Sequence, residues 1–299
     1  MRPHSFSRRH LAFAGLAISG LLTIGGSAGQ AADPFVAGGR SSHPLPAAAD
    51  DLARARARGQ AVAAALGLPG VSQRVQRLDD AFEHRTYDEV TALDAAGHEV
   101  AITRLDLDGS VAMAVSLGWH HTGGRALDQP SAAARATALA RAAGFVPSGR
   151  PDVRLAAGAG GWSVSWQRLI DGVPVRGDGV RLTLWPDGGL HGLTRTERPL
   201  APAPSRVLDA AAARTAATAV VGAWVDGSSA ALRVAAVERA WVAPNDTFGG
   251  TRLDAPAETL RLAWAVRFEA QGGLADRIRT VEIWVDAGDG HLLGGDLVE

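Results

Sequence analysis

The sequence contains no cysteine, and none of its 30 basic side chains is a lysine. Without thiols there are no disulfides, thiolate nucleophiles, cysteine zinc sites or iron–sulfur clusters. Without lysine a Schiff-base lysine, a P-loop lysine and a Ser-Lys dyad are excluded. No H-E-x-x-H occurs either, because His98-Glu99 is followed by Val100, Ala101 and Ile102. The two imidazoles one helical turn apart that hold zinc in many peptidases are therefore missing. Basic excess is also lacking, since the formal net charge is −1. Nothing in that balance calls for nucleic acid.

What is present begins with an export pattern. Arg8-Arg9 precede a mild apolar run from Leu11 to Ile24, and Gly29-Gln30-Ala31 offers a small-x-small cleavage site. That order reads as an export signal over residues 1–31, and the paired arginines favour the twin-arginine route, which moves folded proteins. A chain that folds before export and carries no cysteine is consistent with that route. The apolar run is short and rich in Gly, so no stable membrane span is expected after signal removal, and the expected location is secreted or extracytoplasmic. Residues 32–49, with Pro34, Pro44 and Pro46, read as a flexible leader.

After the leader one order recurs three times, a helix followed by strands. Asp50-Asp51 precede Leu52, Ala55, Val62 and Leu66 at helical spacing, and Gly67 stops the helix. Strands are expected near 82–92, 99–107 and 110–118. Ser131 is expected to cap a second helix that Gly144 closes, with strands near 152–157, 162–170, 179–185 and 190–196. Beyond the proline linker of Pro199, Pro202 and Pro204, Ser205 is expected to cap a third helix with Leu208, Ala212, Thr215 and Ala219 on one face. Strands near 232–242, 258–269, 279–286 and 291–298 complete the chain. The fold class expected is α+β, in tandem units of one helix packed on an antiparallel sheet, over 50–128, 129–198 and 205–299.

Alternation is clear from Leu260 to Phe268. Leu260, Leu262, Trp264, Val266 and Phe268 point one way, and Arg261, Ala263, Ala265 and Arg267 the other. By the same phase, Trp185 and Trp284 fall on the sheet face opposite the helix. Each lies two residues before a turn aspartate, Asp187 and Asp286. Such tryptophans serve either as packing between units or as a surface for a partner.

Several short motifs carry no chemistry on inspection. The match to a nucleophile elbow, Gly25-Gly26-Ser27-Ala28-Gly29, lies inside the export signal. Gly158-Ala159-Gly160-Gly161 precedes a strand rather than a helix, so it is a loop and not a phosphate cradle. His120-His121 are neighbours at a strand end and face opposite ways, which suits no shared metal. Asp106-Leu107-Asp108-Gly109 opens like a calcium loop but lacks the later acidic ligand. No resident metal or cofactor is expected, and no catalytic residue is assigned.

The segment Asp171-Gly172-Val173-Pro174-Val175-Arg176-Gly177-Asp178 resembles the G-(I/V)-P-V-x-G phrase in propeptides of thermolysin- and fungalysin-like metallopeptidases. Further on, Leu262-Ala263-Trp264-Ala265-Val266 and Trp284-Val285-Asp286-Ala287-Gly288-Asp289-Gly290-His291-Leu292 resemble the PepSY domain, whose final hairpin commonly reads V-D-A-x-T-G. The resemblance covers residues 131–299 and implies PepSY- or cystatin-like units that modulate or inhibit a secreted thermolysin-like peptidase. Its alternative is a cell-envelope scaffold with no peptidase partner. The residues expected to meet a partner are Trp185, Trp284, Pro174 and Val175. Gly172, Gly177, Asp187, Gly188, Asp286 and Gly290 are expected to shape turns, the Asp-Gly pairs because they tolerate the positive φ of tight hairpins.

Overall fold

The computed structural model describes residues 42–80, 85–118, 125–147, 149–156, 161–224, 231–250, 259–275 and 278–298. The export signal, most of the leader, His120-His121 and Gly158 to Gly160 lie outside them. In chain order the elements are β1 (Ser42–Leu45), α1 (Ala49–Leu66), β2 (Ser72–Asp80), β3 (Arg85–Leu93), β4 (Glu99–Leu105), β5 (Val111–Ser116) and α2 (Gln129–Ala142). Then come β6 (Asp152–Leu155), β7 (Trp162–Ile170), β8 (Val173–Leu184), β9 (Leu190–Thr196) and α3 (Ala210–Trp224). The last four are β10 (Leu232–Val242), β11 (Arg261–Ala270), β12 (Thr280–Asp286) and β13 (Leu292–Val298).

The expected tandem of helix-on-sheet units is not what forms. The described strands make one mixed, 13-stranded sheet in the order β1-β2-β3-β4-β5-β9-β8-β10-β11-β12-β13, with β7 on β8 and β6 on β7. Among the described residues strand outnumbers helix, 46% to 24%. The pairing that breaks the tandem is β8 with β10, which is parallel at Val175 and Trp241. A parallel pair requires a long crossover, here the stretch that carries α3, and local hairpin signals say nothing about it. By density of contacts the chain divides into two compact units, each assembled from separated segments.

Of the described residues, unit 1 comprises those up to Gly144, in Val153–Val164 and in Leu182–Gly192. Strands β2 to β5 form an antiparallel meander. Helix α1 buries Ala55, Gly59, Val62 and Leu66, spaced four, three and four residues apart along one stripe. Gly59 lets helix and sheet approach closely, since a Cβ there would lie 2.7 Å from the Val90 side chain. Gly67, at φ 68, ends the helix in the left-handed conformation. Strand β2, absent from the sequence reading, has only Val75 and Leu78 as apolar side chains. Its polar ones are held by β3 and β4: Arg77 donates to Asp88 at 2.7 Å, Gln76 to Glu89 at 3.2 Å, and Arg104 to Asp80 at 3.4 Å. The hydrogen bond to Asp88 raises the pKa of Arg77 above its ordinary value. Helix α2 is capped by Asp128 rather than Ser131, the Ser131 amide donating to the Asp128 carboxylate at 2.9 Å. Hydrogen bonds from the hydroxyl and amide of Ser131 hold that carboxyl below its usual range.

Unit 2 comprises Phe145–Asp152, Ser165–Arg181 and Leu193–Glu299. Its antiparallel strands β10 to β13 carry α3 on one face. The core there joins Ala213, Ala217 and Val221 of the helix to Val266, Phe268, Val281, Ile283 and Val285. The buried helical stripe is thus Ala213–Ala217–Val221, not the Leu208–Ala212–Thr215–Ala219 face expected from the sequence. Asp209, not Ser205, takes the capping role, accepting from the Ala212 amide at 2.7 Å. Leu208 stays outside the helix because its own backbone is engaged: its amide donates to Ala287 and its carbonyl accepts the Trp264 indole N–H at 3.0 Å. Among the described residues no helix is long and apolar enough to cross a membrane.

Candidate functional site

The sheet of unit 2 has a second face, and alternation decides what occupies it. Residues out of phase with the helix-facing core, Ala240, Val242, Ala263, Ala265 and Leu293, form their own buried cluster, with Trp284 packed against it. Register places Ala265 beside Trp284 and Arg267 beside Glu282. On the next strand Glu238 pairs with Ala265 and Ala240 with Ala263. Three alanines therefore form a shallow lane that long neighbouring side chains cover.

Those side chains are tied together. The Trp284 indole N–H donates to Glu282 Oε1 at 2.8 Å. Arg176 grips the same carboxylate with both arms of its fork, Nε to Oε1 at 3.1 Å and Nη2 to Oε2 at 3.0 Å. Its Nη2 also donates to Glu238. Arg176 belongs to β8 and Glu282 to β12, with β10 and β11 between them in the sheet order. A guanidinium reaches that far only because alanine side chains leave the lane low. The result is a half-buried tryptophan whose ring is fixed by packing below and by a charge-assisted chain, Glu238–Arg176–Glu282, at its edge. Replacing Trp284 by alanine strips the lane of its cover and is expected to lower stability by about 2 kcal/mol, below the 3–5 kcal/mol typical of a fully buried Trp. Urea unfolding checks this, and an unchanged midpoint would mean that the ring packs against nothing.

The end of this face is closed by the turn after β12. Asp286 is almost fully buried; its Oδ2 accepts Arg261 Nε at 2.7 Å and its Oδ1 accepts the Gly288 amide at 2.8 Å. Gly290 takes φ 79, so the Asp286–Gly290 stretch is a turn pinned by its first carboxylate.

The remaining expected residues lie elsewhere. Trp185 belongs to unit 1, in the turn between β8 and β9. There its ring lies 4.2 Å from that of His191, and the Asp187 carboxylate accepts the Gly189 amide at 3.1 Å. Gly188 has φ 86, and a Cβ there would meet Leu127 at 2.8 Å. Trp185 and Trp284 are thus placed in different compact units. Asp171 and Gly172, at φ 50 and 77, make the two-residue turn between β7 and β8. Gly177, at φ 77, lies within β8 itself.

Val175 is not available to a partner. It is 0% exposed and packs with Trp241, Leu260, Leu262 and Ala287. Pro174, also expected to meet a partner, lies in an interior strand, because β8 is flanked by β9 and β10 and also receives β7. Pro174 is half-buried in that strand.

Beside this face, Asp178 is fully enclosed, with a side-chain exposure of 0%. It accepts Arg198 Nε at 2.6 Å, the Arg198 amide at 2.8 Å and Arg168 Nη1 at 3.2 Å. Arg198 Nη2 also donates to the Arg176 carbonyl at 2.7 Å, which fixes the strand segment from which the Arg176 side chain departs. The functional candidates that the sequence reading missed are Arg176, Glu238 and Glu282. Glu282 was within reach, two residues before Trp284 on the same strand face. Arg176 stood in the quoted hairpin phrase, but its partner on β12 depends on a parallel pairing invisible to local patterns. Among the described residues no group of three or more His, Cys, Asp or Glu is arranged to hold a metal ion.

No protein-family model and no curated protein matches the chain. Among solved structures it is similar to the Bacillus megaterium YpeB C-terminal domain, at 12% identity and a TM-score of 0.48, over 85% of this chain and 98% of that one.

Proposed function

We propose that the protein is a secreted, non-enzymatic binding module that modulates or inhibits an extracytoplasmic metallopeptidase of the thermolysin type, with the Trp284 face of unit 2 as its docking surface. The observation that carries this reading is the pinned indole. An aromatic ring already fixed by Glu282 and by the alanine lane loses little freedom when a partner covers it. Tryptophan and arginine are the side chains that most often anchor interfaces, and the Glu238–Arg176–Glu282 chain supplies a polar rim whose groups are already paired.

The likeness of Asp171 to Asp178 and of Trp284 to Leu292 to propeptide and PepSY phrases supports a peptidase as the partner. The basic-then-apolar order of residues 1–31 supports its extracytoplasmic location. The purified mature chain is expected to slow peptide hydrolysis by a thermolysin-like peptidase and to be retained on that enzyme when it is immobilised. If it neither binds nor inhibits at low and at moderate salt, the modulator reading fails and the cell-envelope scaffold replaces it.

A further inference from the structure

A groove within unit 2 points to a second binding activity, independent of what docks on Trp284. We propose that it recognises the carboxyl terminus of a peptide whose last side chain is aliphatic, and that Glu197 occupies the carboxylate position when no peptide is bound. Phe145, Val146 and Trp166 line the groove together with Arg168, Arg195 and Glu197. Its volume of about 170 Å³ lies below the range of drug-sized ligand sites and suits a single residue. Val146 is 87% exposed, an apolar wall open to solvent.

The charges are arranged for an anion. Three guanidiniums, Arg168, Arg195 and Arg198, meet two carboxylates, Asp178 and Glu197, and one positive charge is left over. Asp178 is buried and fixed, whereas Glu197 is 44% exposed. Both Nε and Nη2 of Arg195 donate to Glu197 Oε2, at 3.0 and 2.6 Å. Arg168 Nη2 lies 3.6 Å from Glu197 Oε1. A carboxylate bridging two guanidiniums is the geometry a ligand carboxylate would adopt. Because Glu197 is solvated, displacing it forfeits little. The Arg195 guanidinium also sits 5.6 Å from the centre of the Phe145 ring. A carboxylate on that guanidinium therefore directs the side chain on the adjoining Cα toward the Phe145 and Val146 wall.

Calorimetric titration of the whole protein with N-acetyl-leucine and with N-acetyl-leucinamide tests this. The acid is expected to bind at least about tenfold more tightly than the amide, the scale of losing one charge-assisted fork. Glu197→Gln, which removes the competing negative charge from the carboxylate position, is expected to tighten the acid severalfold and leave the amide unchanged. Arg195→Gln is expected to abolish the preference. Should that variant unfold, the Glu197→Gln comparison still decides the matter, since it keeps Arg195 in place. Equal binding of acid and amide, or no binding to either the wild type or Glu197→Gln, would overturn the proposal. So would equal binding of a peptide amide whose only carboxylate is an aspartate side chain, because the terminal assignment then fails. A negative result with the peptidase leaves all these outcomes unchanged.

Discussion

Asp178→Ala is expected to destabilise the protein by about 3 kcal/mol, at the low end for breaking a buried ion pair from one side. The carboxylate is wholly enclosed and accepts three hydrogen bonds, two from Arg198 and one from Arg168. Its removal strands two guanidiniums that are only 24% and 17% exposed. Each keeps one carbonyl partner, Arg168 the Arg198 oxygen at 2.8 Å and Arg198 the Arg176 oxygen at 2.7 Å, so the loss stays at that low end. The Arg198 amide also loses its acceptor, which loosens the chain just after β9. Urea unfolding of the variant measures the loss directly. A change below about 1 kcal/mol would place the pair among exposed ion pairs of little consequence.

Gly179→Ala is expected to be as damaging, at about 3 kcal/mol or more, for a different reason. Gly179 adopts φ +141, a conformation open in practice only to glycine, and a Cβ built there would lie 2.1 Å from the Trp166 carbonyl oxygen. The obstacle is backbone of the adjoining β7, which cannot rotate away as a side chain could. Gly172→Ala provides the contrast. It also has positive φ, at +77, but a Cβ there meets nothing within 4 Å, so only the local strain of about 1 kcal/mol is expected. Thermal melts of the two variants should therefore separate widely. Equal losses would mean that the close approach of β7 and β8 at Gly179 is absent.

Much of the local structure was legible in the sequence. The bounds of β7, β9 and β10 and the turn at Asp171-Gly172 follow from alternation and from the Asp-Gly pair. Because the side-chain period of a strand is two, the phase of Val281, Ile283 and Val285 also assigned Trp284 to the face away from α3. Non-local pairing was not legible. The recurring helix-then-strand order looks like a tandem repeat, yet Val175 pairs with Trp241 and Leu200 with Leu260 in parallel, and no local signal announces either contact. Strand β2 escaped because its polar side chains are held by hydrogen bonds and ion pairs to β3 and β4, so it never shows the apolar alternation that marks a half-buried strand. Val175 is buried because β8 lies inside the sheet between β9 and β10, which nothing in the local hairpin phrase announces. The Trp284 face was half readable: Glu282 and Trp284 share a strand, whereas the Arg176 that joins them arrives from β8.

The most direct measurement is the affinity of a thermolysin-like peptidase for wild type and Trp284→Ala, taken where circular dichroism shows both to be folded. A docking surface centred on the indole predicts a loss of about 2 kcal/mol or more, roughly a thirtyfold rise in Kd, as for other interface anchors. An unchanged Kd alongside the expected drop in unfolding stability would show that Trp284 only covers its alanine lane, and would contradict the assignment of this face to a partner.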